Sequence, residues 1–599
     1  MQNAKALRDI YQKRGARRLP LERVYRHLFD PELFLRAYGK IYRNAGAMTR
    51  GSTVETVDGM SLQKVQGIIE LLRQERYHWT PVRRLDIPKP KGGTRPLGIP
   101  SWSDKLVQEV VRALLEPYYE QRFSPHSHGF RPNRGCHSAL CEIRKTWKGT
   151  VWFIEGDIKG CYDNIDHAVL LEIIRRDIHD NRLMRLIEGL LQAGYMEDWH
   201  YHDTLSGAPQ GGIISPLLSN IYLNELDRYV EDTLIPTYTK GKRRMDNPEY
   251  TSLRTQIEVA QGREDLDEVQ RLKRERRKLM AVAPCDPDYR RLRYIRYADD
   301  FLLGFTGPKK EAEEIRQRLG EYLEAHLELT LSAEKTLITH ATDDKAKFLG
   351  YEITVTRCGS LLSDNGRRTT NGNIALLMPR KVVDKYRDRY SRKGKIVHRA
   401  ELIAETDYTI IQRYQSVLRG LYNYYCMAVN VGNKKRMTYL KWMLEKSLTK
   451  TLAHKFQCKV SDIYQRYGVS VLDRKMLQVV IKRPDKEPLV ATFGGISFER
   501  IPDGMGVVDF QFETAWHQQA NKCSEVVQRL LAEKCELCGI QGEPLQVHHI
   551  RKLADIDRSG RRPKAAWERI MSARKRKTLV VCEDCHRIIH AGRYDGPAL

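Results

Sequence analysis

The stretch YIRYADDFLLGF (294–305) limits the fold of this chain more than any other. Two apolar runs flank a pair of adjacent acids, Asp299 and Asp300. The runs read as two strands of a hairpin, with the acids at its turn. Adjacent carboxylates repel each other, and burying them unpaired is costly. A second segment, VWFIEGDIKGCYDNIDH (151–167), puts Asp157 at the end of another apolar strand, WFIEGDI. Set beside the hairpin, that strand gathers three carboxylates at one place. Oxygen ligands of this kind suit Mg²⁺, which keeps waters and takes substrate phosphates as its other ligands. Two such ions can activate a 3′-hydroxyl and stabilise a leaving pyrophosphate. A divalent cation therefore explains why the two acids tolerate each other. An isolated YADD is more often an exposed turn, so its neighbours decide.

Those neighbours favour chemistry. Tyr162 follows Asp157 by five residues, where its ring can lie under the sugar of an incoming nucleotide. GAPQGGIISP (207–216) is a glycine-rich loop running into a helix, with Ser215 expected as N-cap and Pro216 in the first turn. Such a loop lets backbone approach a ligand closely. IPKPKGGTRPLGIP (87–100) offers Lys89 and Arg95 on a tight turn, suited to a triphosphate.

At 599 residues the chain is too long for one core. Its formal net charge is +26, with Lys and Arg spread from end to end. Counterion release makes nucleic acid the leading partner for such a chain. No apolar run is long enough to span a bilayer, and the first twenty residues lack the apolar core of a signal peptide. No membrane partner is expected. Eight of the twelve cysteines are scattered singly, which suggests a reducing compartment.

Residues 1–95 read as helical and basic, with a helix start at Asp30–Pro31. From 95 to 355, short apolar strands alternate with helices, an α/β or α+β core. Residues 236–290 interrupt it with turns and a charge-dense helix, REDLDEVQRLKRERRKLM, either a solvated insertion or an RNA contact. Residues 375–480 turn helical and rich in Tyr, among them Tyr408, Tyr414, Tyr422, Tyr424, Tyr425 and Tyr439. Tyrosines at helical spacing are more often core than platforms for bases.

A second centre lies near the C-terminus. CELC (535–538) and CEDC (582–585) are two CxxC knuckles, so Cys535, Cys538, Cys582 and Cys585 can hold one tetrahedral Zn²⁺. Between and after them, VHHI supplies His548 and His549, and HRIIH supplies His586 and His590. The last two are one turn apart on an expected helix and share a face.

In order, RPLGIP, HGFRP, EGDIKGCYDNIDH, APQGGIISPLLSNIYLNELD, RYADDFLL, LSAEKTLITH and FLGYEI resemble the successive blocks of group II intron reverse transcriptases. The order of parts is similar to the mitochondrial-like lineage. The resemblance implies an α+β multidomain protein: a right-hand polymerase of fingers and palm (1–370, insertion 236–290), and a helical thumb or X domain (371–480) that helps hold intron RNA. A DNA-binding segment (481–524) and a C-terminal unit (525–599) would follow. Asp157, Asp299 and Asp300 would bind catalytic Mg²⁺, and Tyr162 would exclude a ribose 2′-hydroxyl. Gln210 would contact the nucleotide or its template pair, and Lys89 and Arg95 would hold the triphosphate. NAGAMTRGSTVETVDG (44–59) is similar to the N-terminal block of this kind of reverse transcriptase, which would cover template and primer.

The C-terminal unit resembles HNH nucleases, with a zinc-stapled ββα-metal fold. His549 would then be the general base, and His548, His586 and His590 would hold a divalent ion, Mg²⁺ by preference. The family's middle Asn is replaced by Thr578, which cannot copy an amide carbonyl. Together these readings imply a reverse transcriptase, RNA maturase and second-strand DNA endonuclease. Its partners would be intron RNA in a lariat ribonucleoprotein, target DNA and deoxynucleoside triphosphates. It would reside in a bacterial cytosol or an organellar matrix. Two alternatives compete: a splicing factor with vestigial enzymatic centres, and a domesticated or defence-associated reverse transcriptase. The intact acids and zinc ligands oppose the first, and the C-terminal nuclease unit opposes the second.

Overall fold

The computed structural model describes residues 2–593, apart from 45, 90–91, 198–199, 203–206, 208–210, 280, 284–285, 358–370, 433–434, 472–473, 484–485, 506–523, 554–555 and 557–563. The expected hairpin is present as strands Arg291–Tyr297 and Asp300–Thr306. It belongs to a four-stranded antiparallel sheet in the order Leu337–His340, Trp152–Asp157, Asp300–Thr306, Arg291–Tyr297. Every residue of Asp300–Thr306 after Asp300 is buried, as the continuous apolar run requires. The strands pack closely because glycines leave room. A Cβ on Gly156 would lie 2.1 Å from the Phe301 ring, and one on Gly129 would lie 2.4 Å from the Ala298 nitrogen.

Helices Trp102–Tyr119 and Ser215–Tyr229 share the main buried core with this sheet. Ser101 caps the first by accepting from Asp104 N at 3.2 Å. The second departs from expectation by one position. Ser215 is its first helical residue, Ile214 precedes it, and no side chain caps it. Near the N-terminus, Asp30 caps helix Pro31–Ile41 as expected, accepting from Glu32 N at 2.9 Å. That helix buries Leu33, Phe34, Ala37, Tyr38 and Ile41. Strands Val82–Pro88 and Thr94–Ile99 form a hairpin in a separate sheet with Tyr195–Glu197 and His200–His202.

Within 236–290, helices Pro248–Gly262 and Leu266–Arg276 pack on each other through Ile257, Ala260, Val269 and Leu272, a small core of their own. A second large core gathers helices Asp407–Tyr425 and Lys435–Phe456. Tyr414, Tyr422 and Tyr425 are buried in it, so for these three the core reading holds. Strands Gly468–Val471, Arg474–Arg483 and Lys486–Phe493 form one sheet, and Arg474–Arg483 runs across the boundary expected at 480.

The C-terminal unit places strands Leu545–His549 and Thr578–Cys582 antiparallel, followed directly by helix Glu583–His590. Its sheet has a third strand from far away in the chain: Met60–Ser61 pairs with Leu545–His549, Met60 opposite Val547. Apolar residues of this unit, such as Val547, Val580 and Ile589, share one buried core with Phe34, Tyr38 and Val65 near the N-terminus. Among the described residues no helix is long and apolar enough to cross a membrane.

Candidate functional sites

Strand register brings the three expected acids together. Asp300 lies directly opposite Asp157 across the sheet, and Asp299 precedes it in the turn. Desolvation, Asp299 and Asp157 push the Asp300 carboxyl up to about 7. Asp299 is also raised, by burial first and then by Asp157, while Arg95 and Lys335 pull it down. Lys335 Nζ sits 2.7 Å from Asp157 Oδ2. This lysine, in the LSAEK block, was not among the expected site residues; the block's local pattern does not say that its lysine meets an acid 178 residues earlier. Lys335 partners Asp157 alone by hydrogen bond, so the three carboxylates remain under mutual repulsion that a divalent ion would relieve.

The hairpin turn is held from behind by a second missed group. Arg296, with no exposed side-chain surface, donates through Nε and Nη2 to the two Asp227 oxygens at 2.7 and 2.6 Å. Its Nη1 donates to the Ala298 carbonyl at 2.9 Å and to Asn220 Oδ1 at 3.1 Å. Ala298 adopts φ +56, an unfavourable backbone for a residue with a Cβ, directly before Asp299. The HGFRP block supports the same strand: His128 N donates to Arg296 O at 2.9 Å, and Asn220 Nδ2 donates to Gly129 O at 2.9 Å.

Tyr162 is 9% exposed, and both burial and the Asp299 charge raise its phenol. Gln210 lies outside the described residues. The loop ends that flank it are described: Gly207 N donates to Ile165 O at 2.8 Å, and a Cβ on Gly211 would meet Gly98 O at 2.4 Å. Gly207 thus lies against the Tyr162 segment and Gly211 against the Arg95 strand. Lys89 sits at the turn of that strand's hairpin, accepting from Gly92 N at 3.1 Å through its carbonyl. Electrostatics couple Arg95 to Asp299, whereas Lys89 is placed only by its position on the hairpin.

At the other centre, Cys535, Cys538, Cys582 and Cys585 bring their sulfurs within 4.8 Å of one another, and none is in a disulfide. Four converging thiols fit a structural Zn²⁺. His548, His586 and His590 converge as expected from strand and helix. His548 is 5% exposed; its Nε2 is buried without a hydrogen-bond partner, and its Nδ1 lies 3.4 Å from Asp58 Oδ1. A buried imidazole in that state fits a metal ligand. His549 points elsewhere. Its Nε2 meets Tyr38 OH at 3.0 Å, and burial pushes its pKa down to about 3, so the ring is neutral. Thr578 sits opposite His549 in the strand pair, but its hydroxyl accepts from Arg529 Nη2 at 2.6 Å. The His549 ring thus meets Tyr38, while the Thr578 hydroxyl is engaged by Arg529. Asp58 joins the three histidines; burial alone would raise its carboxyl, but His548 and His586 hold it well below the carboxylate range.

Family models divide the chain in the same order as these centres. Residues 87–353 match the reverse transcriptase (RNA-dependent DNA polymerase) model, 374–493 the type II intron maturase model, and 535–586 the AI2M/AI1M-like HNH endonuclease model. The class is therefore a reverse transcriptase carrying a maturase domain and an HNH endonuclease. The chain is 38% identical to the group II intron-encoded protein LtrA of Lactococcus lactis subsp. cremoris, over 95% of this chain and 96% of that protein. It is 31% identical to an uncharacterized 91 kDa protein in a cob intron of Schizosaccharomyces pombe, over 94% of this chain and 69% of that protein. It also resembles nuclear intron maturase 2, mitochondrial, of Arabidopsis thaliana, at 29% identity over 40% of this chain and 36% of that protein. The chain belongs to the group II intron-encoded proteins: it is an RNA-directed DNA polymerase, a splicing maturase and a DNA endonuclease in one.

Proposed function

We propose that the polymerase centre consists of Asp157, Asp299 and Asp300, with Tyr162 and Gln210 at the nucleotide and Arg95 and Lys89 at its triphosphate. The observation that carries this reading is the register that sets Asp300 opposite Asp157, with Asp299 adjacent. Mg²⁺, when bound there, would supply charge neutralisation for the attacking 3′-oxygen and the leaving pyrophosphate. The acids hold the charge, Tyr162 limits the space at the sugar, and Lys335 releases Asp157 when a cation takes its place. Residues 1–370 act as fingers and palm, and 371–480 as the thumb that holds intron RNA. Residues 481–524 contact DNA, and 525–599 form the nuclease.

In the nuclease, neutral His549 takes the proton from water, and His548, His586 and His590 would hold a divalent ion, which would supply charge stabilisation for the leaving 3′-oxygen. The four cysteines would hold Zn²⁺ as a structural staple. The protein stays on its excised lariat, in a cytosol or organellar matrix. The lariat reverse-splices into one DNA strand, the nuclease nicks the other, and the polymerase extends that end on intron RNA from deoxynucleoside triphosphates. The test is a pair of variants. Asp299→Ala with Asp300→Ala should lower primer extension on RNA by orders of magnitude while splicing assistance persists; near-normal extension would refute the polymerase assignment. His549→Ala should stay folded and DNA-bound yet lose nicking, and normal nicking at saturating protein would refute the base.

A further inference from the structure

The nuclease histidines do not face open solvent. Asp58, 491 residues before His549, lies among them. Its Oδ1 is 3.3 Å from His586 Nε2 and 3.4 Å from His548 Nδ1, and its Oδ2 is 2.7 Å from His590 Nε2. The same Oδ1 accepts the His549 backbone N–H at 2.7 Å. Donor atoms of all four side chains lie within 4.8 Å of one another. His548 adds a second sign: its ring is buried and its Nε2 has no hydrogen-bond partner. Three imidazoles and one carboxylate are a complete tetrahedral set for a divalent ion of the zinc type.

Backbone, not a flexible side chain, brings Asp58 there. Met60 and Ser61 extend the nuclease sheet opposite Val547 and Gln546, and Gly59 N donates to Val547 O at 3.0 Å. Gly59 has φ +75, the left-handed region that a residue with a Cβ enters at a cost, and the turn there aims Asp58 at the histidines. The neighbouring helix adds Tyr38 OH, 3.0 Å from His549 Nε2, and Tyr42, whose ring centroid lies 6.0 Å from that of His549. The expected base and the expected ligands are thus both engaged by the N-terminal region.

We infer that Asp58 is the fourth ligand of the nuclease ion and closes the position that DNA would need. The inference rests on His548, His586 and His590 being the nuclease ligands. A hydrolytic ion keeps a position open for water or a phosphate oxygen, whereas a four-ligand site is closed. The Asp58 carboxylate, an anion, takes the place of a phosphate oxygen. DNA reaches the centre only after residues 58–61 leave the nuclease sheet. Cutting is thereby withheld while the N-terminal region and the nuclease are docked.

Cobalt loading of the full-length protein tests this. Thiolate-to-cobalt absorption reports the cysteine site, and the d–d bands gained once that site is filled report the coordination geometry of the histidine site. Asp58→Asn keeps size and an acceptor for the His549 N–H but loses the charge. It should weaken Co²⁺ binding at the histidine site by at least ~10-fold and lower the d–d intensity, the scale on which supporting carboxylates act at metal sites. The thiolate band should not change. With Co²⁺ loaded to saturation, Asp58→Asn should also nick DNA lacking a cognate site several-fold faster than the parent. Unchanged cobalt binding in Asp58→Asn, alongside its loss in His586→Ala, overturns the role of Asp58 and leaves the histidine reading standing. Unchanged binding in both variants overturns the histidine reading as well. Weaker binding without faster nicking overturns the closure.

Discussion

Asp300 is the residue on which the polymerase electrostatics turn. It is exposed as a residue, yet the protein around its carboxyl, with Asp299 and Asp157, holds its pKa near 7. The unfolded value is about 3.9, so folding favours the protonated form. The stability due to this group is fully present below about pH 4 and is lost as pH rises through about 7. In metal-free buffer, Asp300→Asn should therefore melt higher than the parent at pH 8 and close to it at pH 4. Added Mg²⁺ should narrow the gap at pH 8. Thermal melts of the two proteins at both pH values check this, and a variant no more stable than the parent at pH 8 would contradict it. Behind the acids, Arg296 and Asp227 form a pair with no exposed side-chain surface on either partner. Asp227→Ala would strand a buried guanidinium and should cost about 3–5 kcal/mol in urea unfolding. It should also lower primer extension, because Arg296 holds the Ala298 carbonyl next to Asp299. A loss under about 1 kcal/mol would match a surface pair instead.

At the scale of elements, the nuclease unit gathers four thiols where a metal staple would sit. Strands Leu545–His549 and Thr578–Cys582 present the two histidine-bearing and cysteine-bearing ends, and helix Glu583–His590 carries Cys585, His586 and His590. A two-stranded ribbon with one helix is marginal unless stapled or docked. Cys538 is the exposed member of the four cysteines, so Cys538→Ser removes a ligand without opening an apolar cavity. It should still release the unit from Glu525 on to rapid limited proteolysis, as chelation does to zinc-dependent folds. Chelator treatment of the parent should give the same fragment pattern. Protection unaltered by both treatments would mean that docking on the N-terminal core suffices. The polymerase hairpin needs no such staple, since it belongs to a four-stranded sheet in which Asp300–Thr306 is an inner strand paired on both sides.

For the whole molecule, charge and topology act together. With +26 spread along the chain, non-specific RNA binding should fall steeply with salt. If ~6–10 phosphates are neutralised, affinity should drop by ~10³–10⁵ between ~50 and ~200 mM salt. Binding to the cognate intron should be less salt-dependent, because RNA shape and loop contacts add to it. Parallel titrations on the two RNAs measure the difference, and salt-independent binding of both would show that phosphate contacts are not the driver. The same molecule also folds back on itself. The N-terminal region and the C-terminal unit share a sheet and a buried core, so ends that a linear reading separates act as one body.

Sequence alone specified what local chemistry can encode. Asp157 ends a strand, Asp299 and Asp300 sit at a hairpin, and His586 and His590 share a helix face, because period-two and i,i+4 patterns are local. The two CxxC knuckles likewise announced one site, since their spacing suits one tetrahedral ion. Only the tertiary structure decided which distant residues complete those sites. Lys335 reaches Asp157 from 178 residues away, Asp227 on helix Ser215–Tyr229 neutralises Arg296 on a strand, and Asp58 reaches the nuclease from the first tenth of the chain. A lone Lys or Asp has no periodicity or motif of its own, and its role is set by what strand pairing and core packing place against it. The Ser215 cap and the Thr578 hydroxyl show the same limit. Each has the right chemistry for a local role, but the fold set the helix start at Ser215 itself and gave the Thr578 hydroxyl to Arg529.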